Sequence, residues 1–181
     1  MVPPGNVMKQ KLLLTGRPGC GKTTVIKRVV TELARPAGGF YTEEIRERGQ
    51  RVGFKLITLD GKEAVFAHVD FPAAVGPERV GKYGLDLSAL EAIGVAAIRD
   101  AVRAERLTVI DEIGPMEIRS SSFRDAVNEA LDSGAQILAT IVARSLPFTD
   151  AIKKCADVTV IEVRPDNREQ LFSELSNQLK T

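Results

Sequence analysis

The segment Gly16-Arg17-Pro18-Gly19-Cys20-Gly21-Lys22-Thr23 satisfies the spacing G-x-x-x-x-G-K-[ST] in full, with the apolar run Leu12-Leu13-Leu14 before it and the apolar-periodic Val25 to Leu33 after it. This order demands a strand, a tight turn and a helix, and the rest of the fold must be built round that unit. Glycines let the backbone curl until successive N–H groups point at one anion. The N-terminus of the following helix adds its positive dipole end. Lys22 is the residue type that reaches terminal phosphates, and the Thr23 hydroxyl suits a magnesium ion shared with them. The expected ligand is a nucleoside triphosphate with Mg2+.

A second constellation lies further on. Leu107-Thr108-Val109-Ile110 reads as a buried strand that runs into Asp111-Glu112-Ile113-Gly114, placing two carboxylates at its carboxyl end. Asp111 suits a Walker-B role, holding the metal beside Thr23. Glu112 is placed to polarise a water for in-line attack, a contribution of roughly 10²- to 10⁴-fold for a positioned base. Asp111-x-x-Gly114 also fits the D-x-x-G of GTPases. That reading needs a guanine-selective N-K-x-D as well, and the sequence has none.

With 181 residues the chain predicts one domain, residues 11–181, behind a flexible tail at 1–10. A formal net charge of +1 implies neither a constitutive nucleic-acid partner nor a membrane partner. No apolar run approaches the roughly 20 residues that span a bilayer. Cys20 and Cys155 read as free thiols of a reducing cytoplasm. His68 is the single histidine, which excludes a His-rich metal site.

Along the chain the patterning predicts a strand at Lys11 to Thr15 and a helix at Lys22 to Ala34, stopped by Arg35-Pro36-Ala37-Gly38-Gly39. Phe40 to Arg46, Val52 to Leu59 and Glu63 to Val69 read as an antiparallel insertion with hairpin turns at Arg48-Gly49-Gln50 and Asp60-Gly61. Phe71 to Gly84 reads as a loop and Asp86 to Arg106 as a capped helix. Beyond the Asp111 strand come a helix at Phe123 to Leu131, a strand at Gln136 to Val142, a helix at Phe148 to Cys155, a strand at Val158 to Val163 and a helix at Asp166 to Leu179. Outside the insertion, strands alternate with helices. That predicts an α/β three-layer sandwich with a mostly parallel sheet, its ligand site beyond the carboxyl ends of the strands.

With both motifs in view, the chain resembles the small nucleoside-triphosphatase family of the thermophilic phosphatase type, also called cancer-related nucleoside-triphosphatase. The likeness is carried by Gly16 to Thr24, Gly39 to Glu44, Val52-Gly53-Phe54 through Leu59-Asp60-Gly61, Val80-Gly81-Lys82-Tyr83, Ile110 to Glu117 and Asn167-Arg168. It implies a RecA-like phosphate-loop fold and slow Mg2+-dependent hydrolysis of ATP, GTP, CTP and UTP to diphosphate and phosphate. It implies that Gly16, Arg17, Pro18, Gly19, Cys20, Gly21, Lys22, Thr23 and Thr24 bind nucleotide, with Lys22 and Glu112 catalytic and Thr23 and Asp111 on the metal. Ile113, Gly114, Asn167 and Arg168 join the nucleotide-binding set, the last two near the base. In such folds another strand separates the phosphate-loop strand from the Walker-B strand, and Gln136 to Val142 would take that place with Thr140 as a polar sensor.

Arg17, Lys82, Arg119 and Arg144 are candidates for a cation that stabilises charge between the β- and γ-phosphates. Without such a group in place turnover is slow, and an activating partner could raise it. Two other activities use the same parts: a small-molecule kinase, and a nucleotide-dependent binding module timed by hydrolysis.

Overall fold

The structure, a computed structural model, describes residues 10–72 and 78–180. The expected tail therefore lies outside the described residues except for Gln10, as does the 73–77 part of the expected loop.

Among the described residues nine strands form one mixed sheet, and six α-helices accompany them. The strands are β1 (Lys11–Thr15), β2 (Ala37–Glu47), β3 (Gln50–Thr58), β4 (Glu63–His68), β5 (Glu78–Val80), β6 (Tyr83–Leu85), β7 (Leu107–Ile113), β8 (Ile137–Ile141) and β9 (Val158–Glu162). The helices are α1 (Lys22–Leu33), α2 (Leu87–Ala89), α3 (Ala96–Arg103), α4 (Ser121–Asp132), α5 (Pro147–Lys153) and α6 (Arg168–Gln178). Spatial order across the sheet is β5-β6-β4-β3-β2-β7-β8-β1-β9.

Within the parallel part β1, β7 and β8 are buried on both faces, which is why they read as largely apolar runs, while the edge strand β9 is more exposed. Alternation along β1 sends Leu12 and Leu14 to one side and Leu13 to the other. On the first side they meet Val25, Ile26 and Val29 of α1 and Leu171 and Leu175 of α6. On the second side Leu13, Ile110 and Ala139 pack with Phe123, Ala126 and Val127 of α4 and Ile98 of α3. These are the three layers.

β8 lies between β1 and β7, parallel to both, with Leu13 opposite Ala139 and Val109 opposite Leu138. The carboxyl ends of the phosphate-loop strand, the Thr140 strand and the Asp111 strand thus sit side by side. Crossover connections require this arrangement to place the following loops at one edge of the sheet.

The hairpin region is joined to the sheet more closely than the sequence suggests. β2 starts at Ala37, so Ala37-Gly38-Gly39 is strand rather than a helix stop. Its first four residues pair in parallel with β7, Ala37 with Leu107 through Phe40 with Ile110. From Phe40 onward it pairs antiparallel with β3. Gly39 is there because two backbones approach closely: at φ +101°, a Cβ would stand 1.9 Å from the Val109 carbonyl oxygen. The described end of the expected loop is a small antiparallel pair, β5 with β6, attached through β4.

The expected helix from Asp86 runs as α2, a π-helical stretch Leu90–Val95 and α3. Asp86 caps it by accepting from the Ala89 N–H at 3.0 Å. Ser120 likewise caps α4 through the Phe123 N–H at 3.0 Å.

Candidate active site

The turn after β1 delivers its residues to the edge where β1, β8 and β7 end. Gly21, at φ +101°, leads into α1, and the Arg168 side chain packs directly over it, 2.8 Å from where a Cβ would stand. Any other residue there would meet both the left-handed strain and the arginine. Lys22 folds back over the turn, its Nζ donating to the carbonyls of Gly16 at 3.1 Å and Arg17 at 3.3 Å. Its ammonium is thus held at the mouth of the loop.

Asp111 ties the loop to the sheet. It is 2% exposed, and each of its oxygens accepts from a threonine: Oδ2 from Thr23 Oγ1 at 2.7 Å and Oδ1 from Thr140 Oγ1 at 2.5 Å. Burial pushes its carboxyl above the ordinary range, while the two hydroxyls, then Lys22 and Lys27, pull it back. Two strands and the first turn of α1 therefore contribute to one polar chain, Thr23 of α1 and Thr140 of β8 both donating to the carboxylate of β7.

A hydroxyl and a carboxylate are hard oxygen donors of the kind magnesium takes. Among the described residues no group of three or more His, Cys, Asp or Glu side chains forms a metal cage.

Glu112 follows Asp111 across a cis peptide bond. Burial raises its carboxyl, Lys22 lowers it, and the neighbouring Asp111 raises it again. A third carboxylate stands close by. Glu117 is 6% exposed in a short 3₁₀ turn, Glu117–Arg119, and its Oε2 and Glu112 Oε1 both crowd the position a Cβ would take at Gly114, at 3.0 Å and 3.1 Å. Burial first, and Glu112 second, push the Glu117 carboxyl up to about 8. Sequence reasoning included Glu117 only within a matching stretch and gave it no role. The Gly114-Pro115 turn is a signal of chain reversal, but only the fold shows that the reversal returns a carboxylate to the acidic pair.

A cleft of about 850 Å³ opens over the loop. Lys22, Thr23 and Glu112 line its floor, Glu43, Arg51 and Phe54 of the β2–β3 hairpin form one wall, and Met116 and Arg144 lie opposite. A separate pocket of about 370 Å³ is lined by Arg17, Cys20 and the turn from Glu162 to Asp166.

The predicted residues distribute between these spaces. Pro18, Gly19, Gly21, Lys22, Thr23, Thr24 and Glu112 border the cleft, whereas Arg17 and Cys20 border the smaller pocket. Ile113 does neither: it is 1% exposed in the apolar core, its side alternating away from the site. Gly114 leaves room, where a side chain would stand, for the Glu112 and Glu117 carboxylates. Asn167 lines neither space but braces the turn of the smaller pocket, its amide donating to the Glu162 carbonyl at 2.9 Å and its Oδ1 accepting from the Arg164 N–H at 2.8 Å. It occupies the cap position of α6 without capping it. Arg168 lies against the phosphate loop. Of the candidate cations, Lys82 donates to the Arg51 carbonyl at 3.0 Å, and Arg119 faces Glu78 at 4.0 Å. Arg144 alone of Lys82, Arg119 and Arg144 borders the cleft.

Comparison with known proteins agrees with this fold. A nucleoside-triphosphatase THEP1 of Thermotoga petrophila is 49% identical over 170 residues, covering 94% of this chain and 93% of the relative. The crystal structure of THEP1 from the hyperthermophile Aquifex aeolicus superposes with a TM-score of 0.86 at 34% identity, covering 95% of this chain and all of that one. A solution structure of a human cancer-related nucleoside triphosphatase gives 0.77 at 35% identity, covering 93% and 96%. The family model described as NTPase matches residues 11–176, from the first residue of β1 into α6, and with it the phosphate loop, the acidic pair and both pockets fall inside one match: the chain belongs to the NTPase family.

Proposed function

We propose that this protein hydrolyses nucleoside triphosphates to the diphosphate and phosphate, taking ATP, GTP, CTP and UTP. The observation that carries the reading is the chain Thr23–Asp111–Thr140, which binds the phosphate loop to the acid-bearing strand and leaves Glu112 and Lys22 facing one cleft. The triphosphate tail lies on the Gly16 to Thr24 turn, where backbone N–H groups and the N-terminus of α1 offset its charge. Lys22 moves from its two carbonyl partners to the terminal phosphates.

Thr23 and Asp111 hold Mg2+, which when bound supplies charge neutralisation at the phosphate oxygens. Glu112 accepts the proton of the attacking water. A carboxylate raised by burial is a stronger base once ionised, and Lys22 helps keep it ionised. The base lies in the pocket formed by Arg17, Cys20 and the Glu162 to Asp166 turn, beside Asn167 and Arg168. The free Cys20 and Cys155 support a reducing, cytoplasmic setting. Among the described residues no helix is long and apolar enough to cross a membrane.

The test is phosphate release from the four triphosphates with magnesium. Glu112→Gln and Lys22→Ala are each expected to lower kcat by roughly 10²-fold or more. Unchanged turnover in both variants overturns the proposal.

A further inference from the structure

Next to the catalytic cleft lies a second cavity, of about 350 Å³, that none of the steps above uses. Three arginines line it, Arg119, Arg124 and Arg144, against a single carboxylate, Glu78. Pro115 and Arg144 border both this cavity and the cleft, so the two spaces adjoin at these residues. We propose that this cavity binds the phosphate group of a second molecule, distinct from the nucleotide on the phosphate loop.

The guanidinium groups are prepared for that task. Arg124 is anchored from behind, one nitrogen donating to the Ile118 carbonyl, which fixes its orientation and leaves other N–H donors for a ligand. Arg144 has no side-chain partner among the described residues. Arg119 has only the long, solvent-exposed pairing with Glu78 at 4.0 Å, which costs little to exchange for a phosphate. Forked N–H donors match phosphate oxygens, and charge-assisted bonds of this kind are about twice as strong as neutral ones.

Position supplies the second part of the argument. The smaller pocket and the arginine cavity share no lining residue, so a nucleotide whose base sits in the former leaves the latter open. A volume of about 350 Å³ exceeds a phosphate ion and admits an attached organic group. A phosphate held at Arg119 and Arg124 directs whatever it carries past Arg144 into the cleft that contains Glu112. Phosphate dianion is the shared chemistry of two sources: free inorganic phosphate and a small phosphomonoester. The site does not depend on hydrolysis, so it stands even if the phosphatase reading fails.

The experiment is isothermal titration calorimetry of the full chain saturated with magnesium and a non-hydrolysable triphosphate analogue. Inorganic phosphate, ribose 5-phosphate and ribose are titrated separately. Expected are binding of the two phosphates, no binding of ribose, and at least about tenfold weaker phosphate binding in Arg119→Gln and Arg124→Gln. Arg119 is half-exposed, so its variant keeps the test valid if loss of the Arg124 anchor perturbs folding. Tighter binding of ribose 5-phosphate than of inorganic phosphate assigns the site to an organic phosphate, and equal binding assigns it to the free ion. Absence of binding by either phosphate below about 10 mM, or an Arg119→Gln protein that binds as the wild type does, overturns the proposal.

Discussion

At the scale of single residues, the site is a set of carboxylates separated by environment. Asp111 is buried but hydrogen-bonded on both oxygens, while Glu117 is buried beside two like charges. For Glu117 the folded state holds the proton up to about 8, against an ordinary value near 4.5. Below about pH 4.5 both states are protonated and the residue is neutral in its effect on folding. As pH rises toward 8 the unfolded chain gives up the proton and the folded one keeps it, so stability falls and then levels off. Glu117→Gln is therefore expected to melt close to the wild type at pH 5 and clearly above it at pH 9, by scanning calorimetry without nucleotide or metal. Equal shifts at the two pH values would contradict that. Thr140→Val removes the donor to Asp111 Oδ1 and leaves a buried acceptor unpaired, an expected loss of about 1–3 kcal/mol by urea denaturation.

At the scale of elements, β2 is the part with two jobs. Its first residues complete the parallel sheet against β7, and its later ones carry Glu43 and Glu44 into the wall of the cleft. Lys27 of α1 bonds Glu43 at 2.5 Å and lies over the Tyr41 ring, which docks the hairpin to the helix that follows the phosphate loop. Gly39→Ala drives a methyl into the β7 backbone, so it is expected to cost on the order of 3 kcal/mol or more, or to prevent folding. Gly49→Ala in the open β2–β3 turn, with nothing within 4 Å of the added carbon, is the matched control and should cost about 1 kcal/mol. If the two alanine variants melt together, the close approach of β2 and β7 is not what fixes the hairpin.

At the scale of the whole molecule, the two apolar clusters on either face of the sheet hold the loops at one edge in register. Ligand binding should add to that stability. With magnesium and a non-hydrolysable triphosphate at 100 times its Kd, folding is expected to gain about 2.7 kcal/mol, read as a rise in Tm. Chelation of the metal should remove most of the gain, and Asp111→Ala should show little gain at all. A full shift in that variant would mean that the metal is held elsewhere.

The sequence by itself determined the phosphate-binding turn, because glycine spacing, a lysine and a threonine at fixed offsets leave a backbone few other uses. It determined the layer order as well, since buried parallel strands must be apolar throughout and the helices between them amphipathic, and the alternation of Leu12, Leu13 and Leu14 follows from the pleat. What only the tertiary structure decided is which distant groups meet. That Thr140 faces Asp111 depends on the strand order, that Glu117 returns to Glu112 depends on a turn's direction, and that Ile113 points into the core depends on register. Such contacts are made across long loops by packing shared among the whole core, and no local pattern of residues carries that information.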